Sequence, residues 1–294
     1  MLISANPGNP ALCLSLSQPQ DVAPGTATCG PFGESGTYVT ASGSIVDGTR
    51  TAFSPQFAAV TYQKTIGSSN YNSLEATLRH TTGSLELLAG YTYGKSLDQS
   101  SSLSDPVNPI NPTLSKALSA FDMRHNFVAS WNWRMPLGLS LSGIVRYSTG
   151  LPVTLFNNND TSLLGTVPNG INNNGVDTPD VSPGPLMLNT NPRNGKLAFN
   201  TALFSLPSLG SVGTAARRFF YGPGMANFDL ALHKNWKLRE RRSLELRVEA
   251  FNVFNHAQFY GAAAVNGNIT SSSFGPVVAA AAPRLLQVAL RFAF

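Results

Sequence analysis

A short run of glycine, lysine and serine is the first feature of this chain whose residue types could carry chemistry. Gly94, Lys95 and Ser96 resemble the end of a phosphate-binding loop, in which backbone N–H groups and a lysine cradle a phosphate at the start of a helix. The same motif requires an earlier glycine where this chain has Ala89, and no helical pattern follows. We therefore expect no nucleotide site at this position.

Charged residues recur at every second position from Glu245 through Arg247 to Glu249. Two carboxylates on one face of a strand could perform general acid–base catalysis, but a charge ladder facing a polar interior explains the spacing better. The four histidines have neither metal-pair spacing nor a partner nucleophile. We prefer the ladder, and predict no catalytic residues, no cofactor and no enzymatic activity.

Oxygen-bearing side chains gather in a glycine-containing segment formed by Asn172, Asn174, Gly175, Asp177 and Asp180. Calcium prefers oxygen ligands on a sharply bent loop. No glutamate stands at the closing position of a calcium loop. A calcium site and a solvated turn therefore both remain open.

Both cysteines, Cys13 and Cys29, lie in a segment rich in Pro, Gly and Ser. They are compatible with one loop disulfide in an oxidising compartment. Two free thiols are the alternative, because spacing alone does not fix the distance between the two Cα atoms.

Alternation of apolar and polar residues predicts the strands that would position these side chains. The predicted strands cover residues 71–80, 84–95, 125–135, 139–147, 227–236, 244–250 and 285–294. Each has one apolar and one polar face, because successive side chains of a strand point to opposite sides. The polar faces carry the residues that we expect to line an interior lumen, namely Glu75, Arg79, Arg146, Glu245, Arg247 and Glu249. Aromatic residues near the strand ends predict a membrane girdle, and these are Tyr91, Tyr93, Trp131, Trp133, Tyr147 and Trp236.

Short turns alternate with long polar connections between these segments, and the long connections follow Lys95, Thr149 and Phe254. This asymmetry is typical of outer-membrane barrels. Only 12% of the residues are charged, against roughly 25% in ordinary soluble domains. A soluble β-sandwich would also have one-sided strands, but not long loops on one side only. The sequence thus predicts an all-β fold, a transmembrane antiparallel β-barrel with long extracellular loops.

Helical membrane proteins and nucleic-acid-binding proteins are the two classes that the composition disfavours. No stretch approaches the roughly 18 apolar residues of a spanning helix. The formal net charge is +5, but the basic residues are scattered, and the pair Arg217 and Arg218 lacks interleaved aromatic residues for stacking. We expect the lipid bilayer, and no nucleic acid, as a partner.

Counting strands divides the chain at about residue 70. We interpret residues 1–70 as an extracellular loop region in which 56–65 forms a hairpin arm, and residues 71–294 as carboxy-terminal barrel strands and loops. That leaves seven spanning strands, an odd number that cannot close antiparallel. The beginning of the chain also lacks the pattern of an export signal. We therefore expect a partial barrel of about seven or eight strands from a larger protein; eight strands closing alone is the alternative if 56–65 spans.

A series of short motifs resembles the barrel of TonB-dependent receptors of the Oar-like group. In order, these are SNYNSL at 69–74, YTYGKSLD at 91–98, AFDMRHNF at 120–127, STGLP at 148–152, GPG at 222–224, NFD at 227–229 and EAFNVFNH at 249–256. Each is weak alone, and their shared order makes the resemblance fairly specific over about residues 25 to 294. The resemblance implies a large barrel in the bacterial outer membrane, a plug, and coupling to TonB, although plug and TonB-contacting segment have no counterpart in this sequence.

The family resemblance also implies a role for the end of the chain. Leu290, Phe292 and Phe294 share the apolar face of the last predicted strand and would form the signal that barrel-assembly machinery reads. A complete small barrel acting as an anchor or adhesin, and a secreted carbohydrate-binding β-sandwich, are the alternative functions.

Overall fold

Seven long strands form the framework of the protein, as seen in a computed structural model. The structure describes residues 1–54, 56–57, 60–103, 105, 107–165, 168–169, 172–173, 176–188, 192, 195–239, 242–261 and 263–294. The long strands are β1 (Ser69–His80), β2 (Leu85–Asp98), β3 (His125–Met135), β4 (Leu139–Ser148), β5 (Met225–Arg239), β6 (Arg242–Phe251) and β7 (Leu285–Ala293).

These strands pair antiparallel in chain order, so that they form a simple meander from β1 to β7. A two-residue strand, Ala117–Leu118, adds to the end of β2. The sheet is open, with β1 and β7 at its two edges. The predicted all-β fold with an antiparallel, partial barrel is confirmed, and the β-sandwich is wrong because one continuous sheet replaces two packed ones.

Strand pairing separates one apolar from one polar face. Paired residues of an antiparallel sheet point to the same side, and Val248 pairs with both Leu232 and Val288. On the opposite face Glu245 pairs with Asn235 and Arg291. Leucines and aromatic residues of the apolar face are largely exposed, and so large an exposed apolar surface marks contact with lipid or protein rather than with water.

The two ends of the sheet differ. At the short-turn end, residues 81–84 connect β1 to β2, and the 3₁₀ turn Pro136–Gly138 connects β3 to β4. The predicted turn between β5 and β6 contains residues 240–241, which lie outside the described residues. At the other end lie the described residues of the segments 1–68, 99–124, 149–224 and 252–284, which together we call the cap.

The cap contains the short elements of the chain. Its helix α1 spans Pro10–Leu14, and 3₁₀ turns lie at Pro112–Ser115 and Thr201–Leu203. Short strand pairs are Leu2–Ser4 with Thr61–Gln63, Thr37–Val39 with Ile45–Asp47, Pro168–Asn169 with Asn172–Asn173, and Asp180–Val181 with Phe204–Ser205. No helix in the described part of the chain is long and apolar enough to cross a membrane.

The arm expected at residues 56–65 differs in its pairing partner. Thr61–Gln63 pairs with Leu2–Ser4, across the whole intervening segment, so the two strands close a long loop instead of a hairpin. A hairpin does occur in the same region, between Thr37–Val39 and Ile45–Asp47. Neither pair joins the seven-stranded meander.

Two hydrophobic clusters give the cap a core of its own. Phe199 is fully buried and packs edge-on against Phe204, Phe220 and Phe274 at centroid distances of 5.6, 5.0 and 5.3 Å. The second cluster joins the amino-terminal segment to Leu163 of the 149–224 loop. Loops with buried apolar cores hold a defined shape, so the cap is a folded layer over one end of the sheet.

Candidate functional site

The charge ladder on the polar face consists of alternating signs. Arg247 lies between two carboxylates, 3.5 Å from Glu245 and 3.9 Å from Glu249. On the neighbouring strand His233 Nδ1 lies 3.7 Å from Glu245. Because a cation stands between the carboxylates, the ladder is compensated rather than arranged as an acid–base pair. It can line a polar channel.

The other expected interior residues are spread over the same face. Glu75 accepts a hydrogen bond from Ser73 Oγ at 3.4 Å, and Arg79 is exposed near the short-turn end of β1. Arg146 of β4 is half-buried and lies under the ring of Tyr260, which the cap supplies at 5.9 Å. The polar residues therefore do not converge on one point, and only Arg146 reaches the cap.

Aromatic side chains of the apolar face fall into two belts. Toward the cap, Tyr91 and Tyr147 both pair with Phe127, and Tyr93 pairs with His125. His125 lies at the cap end of β3. Its Nδ1 atom shares a hydrogen bond of 2.7 Å with the Tyr91 hydroxyl. Toward the short turns lie Trp131, Trp133 and Trp236.

Close packing holds the tryptophans of the belt near the short turns in place. A Cβ added at Gly143 would lie 2.3 Å from Trp131 Cζ2, so the indole ring needs a glycine on the next strand. Lys234, also on the apolar face, turns its ammonium to the carbonyl of Leu137 and lies 5.6 Å from the Trp236 ring. A lysine that reaches back to a turn is typical of the edge of an apolar layer.

The end of β7 continues the apolar face. Leu290 pairs with Leu246, and Phe292 pairs with Leu244. Phe292 and Phe294 stack with ring centroids 6.1 Å apart, and Phe294 is 92% exposed. The last aromatic side chain is therefore free to contact another protein or lipid.

Two adjacent arginines bind two loops of the cap together. Arg217 lies 2.8 Å from Asp98 and 3.2 Å from Asp105, and Arg218 forms a bidentate pair with Asp105 at 2.6 and 3.1 Å. All four side chains are buried. Burial favours a raised pKa for Asp105, but the hydrogen bonds and charge of Arg218 and the charge of Arg217 outweigh it and hold the pKa below its usual range.

A second buried contact attaches the amino-terminal segment to the 149–224 loop. Asp160 accepts hydrogen bonds from the N–H groups of Phe32 and Gly165, each at 3.0 Å. Burial, and then the hydrogen bond and charge of Asp160, raise the pKa of Glu34 to about 8. Glu34 is therefore protonated at neutral pH, and Arg50 contacts it at 3.5 Å as a hydrogen-bond donor.

The candidate calcium ligands are not brought together among the described residues. Asp177 is buried and accepts from Ser162 N at 3.2 Å, and Asp180 accepts from Thr214 N at 2.9 Å. Burial, followed by the charge of Asp160, raises the pKa of Asp177 to about 7 although hydrogen bonds from Ser162 oppose the shift. Asn174 and Gly175 lie outside the described residues, and no metal-sized group of ligands occurs within the described part.

Cys13 and Cys29 form a disulfide with a Cα–Cα distance of 5.3 Å. Both are buried in the same cluster as Leu16, Val22 and Leu163. The bond therefore fixes the amino-terminal part of the cap.

The capped end contains several openings, of which two lie against the 149–224 loop. A cavity of about 250 Å³ lies between the 99–124 and 149–224 loops, where Asn108, Phe156, Asp177 and Arg217 contribute to its wall. A wider opening of about 480 Å³, which we call the rim pocket, lies where β3, β4 and β5 meet the cap. Its walls include Arg124, Tyr147, Ser148, Thr149 and Tyr221.

Sequence reasoning missed the buried charges of the cap. Arg217 and Arg218 were considered only as a weak basic cluster, and their partners Asp98 and Asp105 lie more than a hundred positions away, with separations of 119 and 113. The available signal was two adjacent charges inside an otherwise charge-poor loop, since such charges are rarely buried unless they are paired.

Comparison with known proteins agrees with this architecture. A family described as outer membrane beta barrel domain matches residues 6–287. No curated protein matches the chain significantly. The match places the protein in the bacterial outer membrane. With strands, cap and match covering nearly its whole length, the chain belongs to the outer membrane beta barrel domain family.

Proposed function

We propose that this chain is the carboxy-terminal barrel portion of a TonB-dependent receptor of the Oar-like group, and that it supplies barrel wall, polar lumen and ligand-capturing loops. The observation that carries the proposal is the open meander of seven strands. An odd number of antiparallel strands leaves edges that would meet parallel, so this sheet needs further strands to close. The colinear motifs described above favour a large receptor as their source.

The folded cap supports a role in ligand capture. Its loops bury aromatic cores and ion pairs, so their outer surface is held in one arrangement before any ligand arrives. Rigid loops lose less conformational entropy on binding than floppy ones. The compensated lumen ladder provides a polar route beneath the cap. The proposal assigns the chain no catalytic activity.

Sequencing the DNA upstream of the Met1 codon tests the receptor assignment. An in-frame region encoding a plug and a TonB-contacting segment is the expected result. A second test uses the full-length gene product, which should co-purify with the periplasmic domain of TonB. An independent promoter followed by an export signal and no plug would contradict the proposal and favour a small anchor or adhesin.

We also propose that Phe292 and Phe294 act as the signal for the barrel-assembly machinery. Replacing Phe294 by Ser should lower the amount of chain inserted in cells, while leaving refolding into detergent unchanged. Replacing Phe274, which is partly buried against the aromatic cluster of the cap, by Leu is a control for a general loss of apolar surface. If Phe294→Ser inserts as well as the unmodified chain, or no worse than Phe274→Leu, the signal lies elsewhere.

A further inference from the structure

Two half-buried arginines near the cap lack an acidic partner. Arg124 and Arg146 form no ion pair with any described residue, whereas the fully buried Arg50, Arg217 and Arg218 each contact an acidic side chain. Partly buried charges are usually paired. In the described part of the chain, Arg124 and Arg146 are therefore cations without an acidic partner.

Strand register places Arg146 beside Asn126 and Ser148. Asn126 pairs with Ser148, and Val128 pairs with Arg146, so Asn126, Ser148 and Arg146 share the lumen face at the extracellular end of β3 and β4. Arg124 precedes Asn126 by two residues and lines the rim pocket together with Ser148.

Buried polar atoms of the same cluster have nothing to bond to. Asn126 Oδ1, Arg146 Nε and Ser148 Oγ find no hydrogen-bond partner among the described residues, and Ser148 is only 1% exposed. Buried polar groups are nearly always satisfied, and an exception calls for an explanation such as an unseen ligand, ion or water. Of these three residues, Ser148 lines the rim pocket of about 480 Å³.

Tyrosines of the cap cover both arginines. The Arg124 guanidinium lies 5.3 Å from the centroid of Tyr221, and that of Arg146 lies 5.9 Å from the centroid of Tyr260. A cation–π contact holds each guanidinium, and Arg124 also interacts with the Tyr221 hydroxyl. Tyr221 is itself anchored, because its hydroxyl donates to Asp122 Oδ2 at 2.5 Å.

The two nearest carboxylates are already engaged. Asp122 also accepts from the N–H of Ser96 at 2.5 Å. Asp229, on the lumen face of β5, accepts from Asn227 Nδ2 at 2.9 Å and from Asn252 N at 2.8 Å. Neither carboxylate forms an ion pair with Arg124 or Arg146 among the described residues.

We propose that Arg124, Arg146 and Ser148 form an oxyanion site that binds the phosphate group of a ligand. Arginine matches phosphate through paired N–H donors. The Ser148 hydroxyl adds an O–H donor. The inference rests on the proposed role of the cap in ligand capture, although not on coupling to TonB. The phosphate could belong to a soluble ligand or to an outer-leaflet lipid, because the recognised chemistry is the same.

Equilibrium dialysis of labelled inorganic phosphate against the full chain in maltoside micelles tests this site. Replacing Arg124 or Arg146 by Gln should weaken phosphate binding about tenfold, since each substitution removes a charge-assisted contact. Arg79→Gln is the matched control, because Arg79 is exposed on the same face near the short turns; its binding should be unchanged. Arg146→Lys should retain part of the affinity, which distinguishes lost charge from lost folding.

A second arm identifies the source of the phosphate. In phosphatidylglycerol vesicles, inorganic phosphate should bind more weakly than in micelles if a lipid headgroup occupies the site, and equally well if the ligand is soluble. Either result supports an oxyanion site. Absence of phosphate binding, or an equal loss in Arg79→Gln, would overturn it. The phosphate-binding assay contains no TonB. Phosphate binding can therefore be observed even if the receptor assignment is wrong, and the receptor assignment can be right even if no phosphate binds.

Discussion

Replacing Val248 with Arg tests the assignment of the lipid-facing surface most directly. Val248 lies within β6, with Leu232 and Val288 beside it on the neighbouring strands. Along β6 the next residues on this face are Leu246 and Ala250. An arginine here would have only apolar neighbours and lipid around its guanidinium. The expected cost is about 2–4 kcal/mol near the bilayer midplane, or roughly 30- to 700-fold in the folding equilibrium.

The matched control is Gln287→Arg on the other face. Gln287 pairs with Glu249, so a new arginine there would face water in the lumen and a carboxylate across the strand pair. An exposed ion pair contributes little, about 0–1 kcal/mol. The control should therefore be neutral or slightly stabilising, although it introduces the same side chain.

Urea unfolding from phospholipid vesicles measures both variants. The three tryptophans, Trp131, Trp133 and Trp236, lie on the lipid-facing side, so their fluorescence reports the loss of contact with lipid. The unfolding midpoint should fall for Val248→Arg with an unchanged slope, since the surface exposed on unfolding stays the same. Equal midpoints for Val248→Arg and Gln287→Arg would refute the assignment of the two faces.

Three further predictions concern the stability of the cap. Phe199→Ala should lower the free energy of unfolding by about 3–5 kcal/mol, because it removes a fully buried ring from the aromatic cluster. Limited proteolysis of this variant should then cleave the cap before the sheet. Simultaneous cleavage of cap and sheet would contradict the prediction. Reducing the Cys13–Cys29 bond, with a sequence separation of 16, should destabilise the cap by about 3 kcal/mol in calorimetry, and a Cys13→Ser, Cys29→Ser double variant should match the reduced protein. The pKa of Glu34 is raised from 4.5 to about 8, so the protonated form favours folding: its contribution is complete below about pH 4.5 and lost by about pH 8. The melting temperature of the cap should therefore fall as the pH rises from about 4.5 to about 8. The Glu34→Gln variant should show a weaker dependence of melting temperature on pH, but not none, because the pKa of Asp177 is also raised. An unchanged dependence on pH would refute the role of Glu34.

Strands and faces were accessible from the sequence because their signal is local. The segment His125–Met135 has the bounds that alternation predicts, and the other long strands differ by a few residues at their ends. A lipid-facing strand must hide every backbone group in the sheet and present alternate apolar side chains. Residues such as Leu246 and Val248 therefore reveal their environment without knowledge of their neighbours.

The cap could not be predicted in the same way. Phe199 and Phe274 lie in loops without periodicity, and only the packing of separate loops brings them to a centroid distance of 5.3 Å. The 56–65 segment illustrates the difficulty, since its strand residues pair with the distant segment Leu2–Ser4. No local pattern specifies such a partner, because the pairing is chosen by the shape of the whole cap.

The sequence by itself determined the seven alternating strands, their apolar and polar faces, and the long loops at one end. Tertiary structure alone decided which loop residues meet: it paired Arg217 with Asp98, and it left Arg124 and Arg146 under tyrosine rings. The physical reason is the separation along the sequence of the residues that interact. Side-chain direction along a strand repeats every two residues, whereas burial of a charge depends on contacts between segments that only the folded chain brings together.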